Sequence, residues 1–164
     1  METLSVDGVG EMEAFYSDGL RTALSTLAEI PEMGEKTLRW PGHVEAVRPL
    51  VESGRFLEEF RARCSATPPA DLVALLVRAR WGQRESRALL IDRYDAASGM
   101  TAMARTTALT TSAVAQLVAS GFPIESGVRP LELIAREPGA TDRILAALGR
   151  HGVHVTIGDP KPVG

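Results

Sequence analysis

The sequence predicts an α+β fold with a mixed or antiparallel sheet and helices packed on one face of that sheet. Two adjacent extended runs, over residues 72–81 and 86–94, are joined by Gly82-Gln83-Arg84-Glu85, which is typical of a β-hairpin. A long stretch over residues 101–120 instead carries apolar residues at helical spacing. The elements do not alternate as regular βαβ units, so a doubly wound parallel sheet is not expected.

The remaining elements follow from the spacing of apolar residues and from the breaks between them. Pro31, the Pro41-Gly42 pair and Thr67-Pro68-Pro69 interrupt the periodic segments, and Gly121 suits a helix end. The first hairpin strand is nearly continuous in apolar residues, which predicts burial on both faces over part of its length. Before the hairpin we expect a short strand within residues 1–10, a helix that begins at Ser17 or Asp18, a strand over 36–40 and a helix over 43–52 with an apolar face continuing through Phe56, Leu57 and Phe60. After the hairpin and the long helix we expect a short helix over 131–135, a helix over 141–149, a strand over 153–157 and a polar tail over 159–164.

Length and composition favour one soluble domain over residues 1–164. The net charge is −3 and the isoelectric point about 5.7, and the basic residues show no cluster along the chain, so a nucleic acid partner is not expected. No apolar run approaches the roughly 20 residues of a membrane span. Cys64 is the only cysteine, which excludes an internal disulfide and favours a reduced, cytoplasmic setting.

Dinucleotide-binding and metal-binding motifs are missing from the sequence. The nearest approach to a glycine-rich phosphate loop is Gly8 and Gly10, which are followed by Glu11 and Glu13, and two carboxylates repel phosphate. The histidines and the cysteine lack the spacing of zinc ligands. We therefore expect this chain to bind no cofactor and no metal by itself.

Three local clusters carry groups that suit a small polar ligand. Tyr16 and Asp18 stand at the start of a predicted helix, where backbone N–H groups favour an anion, although a capped helix with Phe15 packed against it explains the same residues. Arg39 offers a planar guanidinium for a carboxylate and His43 titrates near neutral pH, although a surface arginine and a helix-capping histidine are equally ordinary.

The third cluster lies in the first turns of the long helix. Arg105 and Thr106 bring a cation and a hydroxyl to a helix start, which suits an anionic ligand. The alternative is a helix in which threonines bond back to the backbone and methionines fill the core. The residues alone leave both interpretations open.

Together these clusters resemble the C-terminal domain of saccharopine dehydrogenase-like proteins, with lysine 6-dehydrogenase as the most similar subgroup. The resemblance covers about residues 9–133, and Ala108-Leu109 stand where the family usually has Gly-Tyr. It rests on three strings that occur in the family's order: Phe15-Tyr16-Ser17-Asp18-Gly19-Leu20-Arg21-Thr22, Thr37-Leu38-Arg39-Trp40-Pro41-Gly42-His43 and Met103-Ala104-Arg105-Thr106-Thr107.

The resemblance implies a substrate-binding and dimerisation domain of an oxidoreductase that acts on an amino acid C–N bond. NAD or NADP would be held by a Rossmann domain that is absent from this sequence, either because the sequence is an excised domain or because a separate chain supplies the cofactor half. In that case Arg39 and Arg105 bind substrate carboxylates, Tyr16 and Thr106 contact the ligand, and His43 and Asp18 handle protons or the amine.

Two other interpretations remain open on the sequence. The chain is alternatively a stand-alone, cofactor-independent enzyme or ligand-binding module that uses the same pocket for imine or proton-transfer chemistry. The blandest interpretation is a structural dimerisation domain without a ligand. A homodimer is expected, because helix surfaces and the apolar hairpin strand both favour self-association and because the resemblance implies it.

Overall fold

The structure is a computed structural model that describes residues 1–64 and 71–162, so the predicted break at Thr67-Pro68-Pro69 lies outside the described residues. The α+β class is confirmed, because helices occur together with antiparallel strand pairs. In chain order the elements are β1 (Glu2–Val6), β2 (Gly10–Tyr16), α1 (Ala23–Thr26), β3 (Lys36–Arg39), α2 (His43–Glu52), α3 (Phe56–Cys64), β4 (Leu72–Trp81), β5 (Arg84–Arg93), α4 (Ala102–Ala119), α5 (Leu131–Ile134), α6 (Ala140–Gly149), β6 (Val155–Ile157) and β7 (Lys161–Pro162).

The chain divides into two compact units. The first consists of Met1–Arg21 and Pro31–Pro69, and it contains the sheet β1-β2-β3 with helices α2 and α3. The second consists of Thr22–Ile30 and Ala70–Gly164, and it contains the sheet β4-β5-β6, with β7 also paired to β5, and the other four helices. Each of the two sheets therefore belongs to a single unit.

Strand β2 is the centre of the first unit, and the sequence did not predict it. Met12 and Ala14 are buried at 5% and 1% exposure, while Glu11 and Glu13 alternate with them on the other side of the strand. The helix expected from Ser17 or Asp18 is wrong in extent, since α1 contains only Ala23–Thr26. The chain therefore reaches Tyr16 as the last residue of a strand rather than at a helix start.

The second unit has its core where α4 and α6 meet the sheet. Leu90 of β5, Leu148 of α6 and Val153 form one buried cluster. A second cluster joins α4 to α5 and to the first residue of α6 through Leu117, Ile134 and Ala140. Burying these side chains against one another supplies the main hydrophobic stabilisation of the unit.

Strand β4 lies at the edge of its sheet, where it pairs with β5 in continuous register from Leu72 to Trp81. The expectation that the strand is buried on both faces is wrong from its middle onward, because Leu75 is 55% exposed and Val77 is 48% exposed. An edge strand has no neighbouring strand on one side, which leaves more of its side chains exposed to solvent. Of the helices within residues 1–64 and 71–162, none has the length and apolar character to cross a membrane.

Candidate functional site

The first unit gathers polar side chains at the end of β2. Tyr16 is 75% exposed, and the Lys36 ammonium lies 4.6 Å from the centroid of its ring. Lys36 also forms a 2.7 Å ion pair with Glu2. A cation above an aromatic face holds the ring in place and leaves the phenol hydroxyl at the surface.

The turn after Tyr16 is fixed by Glu35. Its carboxylate accepts a hydrogen bond from the Ser17 hydroxyl and another from the Gly19 N–H at 3.2 Å. A Cβ atom at Gly19 would lie 2.6 Å from the Glu35 Cδ, so a side chain there would force the Glu35 carboxylate out of this position. Asp18 projects from this turn and pairs with Arg21 at 3.2 Å, both side chains being largely exposed. Asp18 therefore has a cationic neighbour and remains open to a solvent-borne amine.

The Pro41-Gly42-His43 turn is held by a residue of β2. The Glu13 carboxylate accepts the N–H of Gly42 at 2.7 Å and the N–H of Val44 at 3.2 Å, so its two bonds flank His43. Gly42 has φ +85°, a left-handed conformation that favours glycine. The hydrogen bonds from Gly42 and Val44, with attraction from His43, hold the pKa of Glu13 below its usual range.

Arg39 occupies the last position of β3, and it pairs across the strands with Glu13. Its guanidinium Nη1 donates to the carbonyl oxygen of Leu38 at 2.8 Å, and the residue is exposed. Among residues 1–64 and 71–162, the Arg39 guanidinium forms no ion pair with a carboxylate. Tyr16, Asp18, Arg39 and His43 thus all belong to one unit, but the antiparallel register places Tyr16 and Asp18 at one end of the β2–β3 pair and Arg39 and His43 at the other end.

These features accompany a match to a known family. The model of the saccharopine dehydrogenase C-terminal domain matches residues 2–153 of the chain. The chain belongs to this family. The match extends the resemblance of residues 9–133 in both directions, and it includes both compact units.

In this member of the saccharopine dehydrogenase C-terminal domain family, Arg105 is held by groups of its own unit. Its Nε donates to the Asp92 carboxylate at 2.9 Å, its Nη1 to Asp95 at 3.0 Å and its Nη2 to the His151 carbonyl oxygen at 3.0 Å. Asp92 is only 7% exposed. The hydrogen bond and charge of Asp92, followed by Asp95, raise the pKa of Arg105 above its usual range despite partial burial. A substrate carboxylate at Arg105 would share the guanidinium with two internal ones.

Asp71 occupies the N-terminus of α4, where the sequence favours a ligand anion. Its carboxylate accepts the N–H groups of Ala102 at 2.7 Å and Met103 at 3.0 Å. Thr101 accepts the next N–H, that of Ala104, at 3.0 Å. The Thr106 hydroxyl donates within the helix to the Ala102 carbonyl oxygen at 2.9 Å. The protein's own carboxylate thus fills the position predicted for an external anion.

The predicted site residues of this family member divide between the two units. Tyr16, Asp18, Arg39 and His43 belong to the first, and Arg105 and Thr106 belong to the second. A common pocket for all six stays a prediction. Within the part of the chain that the structure describes, no group of three or more His, Cys, Asp or Glu side chains is arranged to hold a metal ion.

Sequence reasoning missed Glu13, Asp71 and Asp92, three of the carboxylates that hold the candidate site residues and the starts of α2 and α4 in place. Each acts on a residue distant in sequence, so local spacing carries no direct signal for it. The alternation of Met12 and Ala14 with glutamates was the one available sign that Glu13 lies on a strand.

Proposed function

We propose that this chain is the substrate-binding and dimerisation domain of an amino-acid dehydrogenase that acts on a C–N bond. The match of residues 2–153 to the saccharopine dehydrogenase C-terminal domain family carries the proposal. In such an enzyme the nicotinamide cofactor accepts hydride from the carbon that bears the amine. These residues supply substrate binding and proton handling, in lysine metabolism and in the cytoplasm, while a Rossmann domain, either in the same polypeptide or in a separate chain, would supply NAD or NADP.

The first unit supports this proposal with groups that fit a zwitterionic amino acid. Arg39 is exposed and carries guanidinium donors beyond the one bonded to Leu38, which suits a carboxylate. Asp18 supplies a negative charge for an ammonium group, and Tyr16 an exposed hydroxyl. His43, fixed between the two Glu13 hydrogen bonds, is the group of choice for proton transfer near neutral pH.

Thermal stability of the purified chain in the presence of amino acids tests the proposal. Lysine and saccharopine should raise the melting temperature, because a ligand at 100 times its Kd adds about 2.7 kcal/mol of stability. Cadaverine is lysine without the carboxylate, and it should stabilise the chain far less. If no amino or imino acid stabilises the chain at millimolar concentration, substrate binding by this domain alone is excluded.

Arg39→Ala distinguishes carboxylate recognition from a general effect on folding. It should weaken lysine binding by roughly 10-fold to 100-fold, as expected for a hydrogen bond to a charged group worth about 1.5–3 kcal/mol, and leave the weak cadaverine binding unchanged. Arg48→Ala removes an exposed arginine of α2 and serves as the matched control. Equal losses in both variants would contradict a role for Arg39. Calorimetry should detect no binding of NAD or NADP, since the sequence offers no glycine-rich phosphate loop.

A further inference from the structure

The free end of the β4–β5 hairpin concentrates basic side chains on one face. The register places Arg78 opposite Arg87 and Arg80 opposite Glu85, while β7 places Lys161 opposite Glu85 on its other side. Directly opposed residues of an antiparallel pair share a face, so four cations surround one carboxylate. The sequence predicts no cluster of basic residues, and this is wrong at the hairpin, because pairing within the hairpin aligns Arg78, Arg80 and Arg87 and the pairing of β7 with β5 adds Lys161 beside Glu85.

Glu85 neutralises only part of this charge. Its two oxygens accept from Arg80 Nε at 2.6 Å and from Arg87 Nε at 2.7 Å. These two hydrogen bonds hold the pKa of Glu85 below its usual range, so it stays ionised. Within residues 1–64 and 71–162, Arg78 forms no ion pair, and it faces Arg87 directly. Like charges directly opposed across strands are destabilising, so an external anion would relieve a cost that the chain bears alone.

The same strand presents an open backbone edge. Among the described strands β4 pairs only with β5, which leaves the N–H and C=O groups of its outer side available. Proteins usually protect such an edge with a short strand, proline, lysine or a bulge. Strand β4 is ten residues long, contains no proline or lysine and pairs with β5 without a bulge. Its only charged side chains, Arg78 and Arg80, alternate with Val77, Ala79 and Trp81 on the opposite face, so its charge disfavours a basic strand at this edge and favours an acidic one.

We propose that the outer edge of β4 is the docking site for an acidic, extended segment of a partner protein, which adds to the sheet as a further strand. Carboxylates at alternate positions would lie beside Arg78 and Arg80, and apolar side chains between them would lie beside Val77 and Trp81, which are each 48% exposed. Added strands gain affinity from backbone hydrogen bonds and specificity from alternate side chains. The argument for this surface does not rest on the proposed amino-acid site, whose exposed groups belong to the first unit.

Charge and geometry favour this partner over two others. A second copy of β4 would bring two more arginines and no carboxylate to the same edge. A nucleic acid would match the positive charge but would leave the backbone groups of β4 and the exposed Leu75 without partners. A strand that alternates acidic and apolar residues satisfies the backbone, the arginines and the apolar side chains together.

Two labelled peptides of equal composition test the proposal on the full chain. Glu-Val-Glu-Val-Glu-Val-Glu should bind at least 10-fold more tightly, by fluorescence anisotropy, than Glu-Glu-Glu-Glu-Val-Val-Val. A labelled oligothymidylate should bind no more tightly than the second peptide. Equal affinity for the two peptides, no binding up to millimolar concentration, or preference for the oligonucleotide would each overturn the proposal.

Backbone methylation of the alternating peptide tests pairing at the edge. In an added strand only alternate N–H groups face β4, so methylation of the odd positions and of the even positions should differ. One pattern should abolish binding and the other should leave it within about threefold. Equal effects of the two patterns would exclude strand addition.

Arg78→Glu tests the location, with Arg48→Glu as a matched charge reversal on α2. Arg78→Glu should weaken the alternating peptide at least 10-fold and reduce the salt dependence of its binding, while Arg48→Glu should change neither. Circular dichroism of both variants excludes unfolding as the cause. A loss of similar size in Arg48→Glu would assign the effect to overall charge and refute this site.

Discussion

Glu13 and Asp71 show how single carboxylates shape this molecule at the residue scale. Each accepts two backbone N–H groups at the start of a helix, Glu13 at α2 and Asp71 at α4. The positive end of a helix stabilises a carboxylate at that place. The sequence marks the start of α4 as a place that suits an anion and does not mark the start of α2, and in neither case can it reveal that a residue from another part of the chain supplies the anion.

Glu13→Gln should make the stability of the chain less dependent on pH. The folded state holds the pKa of Glu13 below its value in the unfolded chain, about 4.3. The stability it contributes is therefore present above about pH 4.3 and is lost as the pH falls through the lower, folded-state pKa. Glu13→Gln should melt a few degrees below the wild type at pH 6, and the difference should shrink as the pH falls through the lowered, folded-state pKa of Glu13.

Glu11→Gln is the control, because it alters an exposed carboxylate of the same strand. Melting curves recorded by circular dichroism from pH 3 to pH 7 provide the comparison. A gap between Glu13→Gln and the wild type that stays constant over this range would show that hydrogen-bond geometry, and not ionisation, matters at this position.

Helix α6 illustrates what the sequence reveals at the scale of one element. Its apolar residues recur at helical spacing, and the structure has Ala140–Gly149 where residues 141–149 are predicted. The hairpin, α2 and α4 are likewise predicted to within a few residues, because strong periodicity and glycine or proline boundaries mark them. Strand β2 was missed because Phe15-Tyr16-Ser17-Asp18 also fits a capped helix, and only pairing with β1 and β3 decides between the two.

Leu148→Ala should destabilise the second unit by about 2–5 kcal/mol. Leu148 is 5% exposed and packs with Leu90 and Val153, so truncation leaves a cavity between α6 and the sheet. Leu24→Ala in α1 is the matched control in the same unit, since Leu24 is 62% exposed, and it should change stability by no more than about 0.5 kcal/mol. Urea unfolding followed by circular dichroism measures both. Similar losses in the two variants would contradict the described core.

At the scale of the whole molecule, family membership and the α+β class follow from local strings and periodicity. The arrangement of the site does not. Tyr16, Asp18, Arg39 and His43 are close enough in sequence to be joined by one small sheet, whereas Arg105 and Thr106 belong to a unit with its own core. Whether distant clusters form one site depends on tertiary packing, about which helical or strand periodicity carries no information.

We predict that the chain is a homodimer at micromolar concentration. Besides the family resemblance, the second unit exposes large apolar side chains. Met103 and Val118 of α4 are 62% and 54% exposed, and Val128 in the loop that follows α4 is 97% exposed. Association would remove such a surface from water. Sedimentation velocity should show the dimer, and Val118→Asp should shift it toward monomer, while Ser112→Asp on the same helix should not. A monomer throughout the micromolar range would contradict the prediction.

The carboxylates that complete α2 and α4 come from residues 29 to 32 positions earlier in the chain. A helix capped by its own neighbouring residues can acquire its cap as it forms, as α4 does through Thr101, but the bonds to Glu13 and Asp71 require a long loop to close first. Short peptides that copy residues 42–53 or 101–120 should therefore be less helical than their composition suggests. During synthesis Glu13 and Asp71 emerge first, so each helix meets its cap only when the strand or segment that carries it is already in position. The full set of hydrogen bonds at the starts of α2 and α4 therefore depends on tertiary contacts and not on local sequence alone.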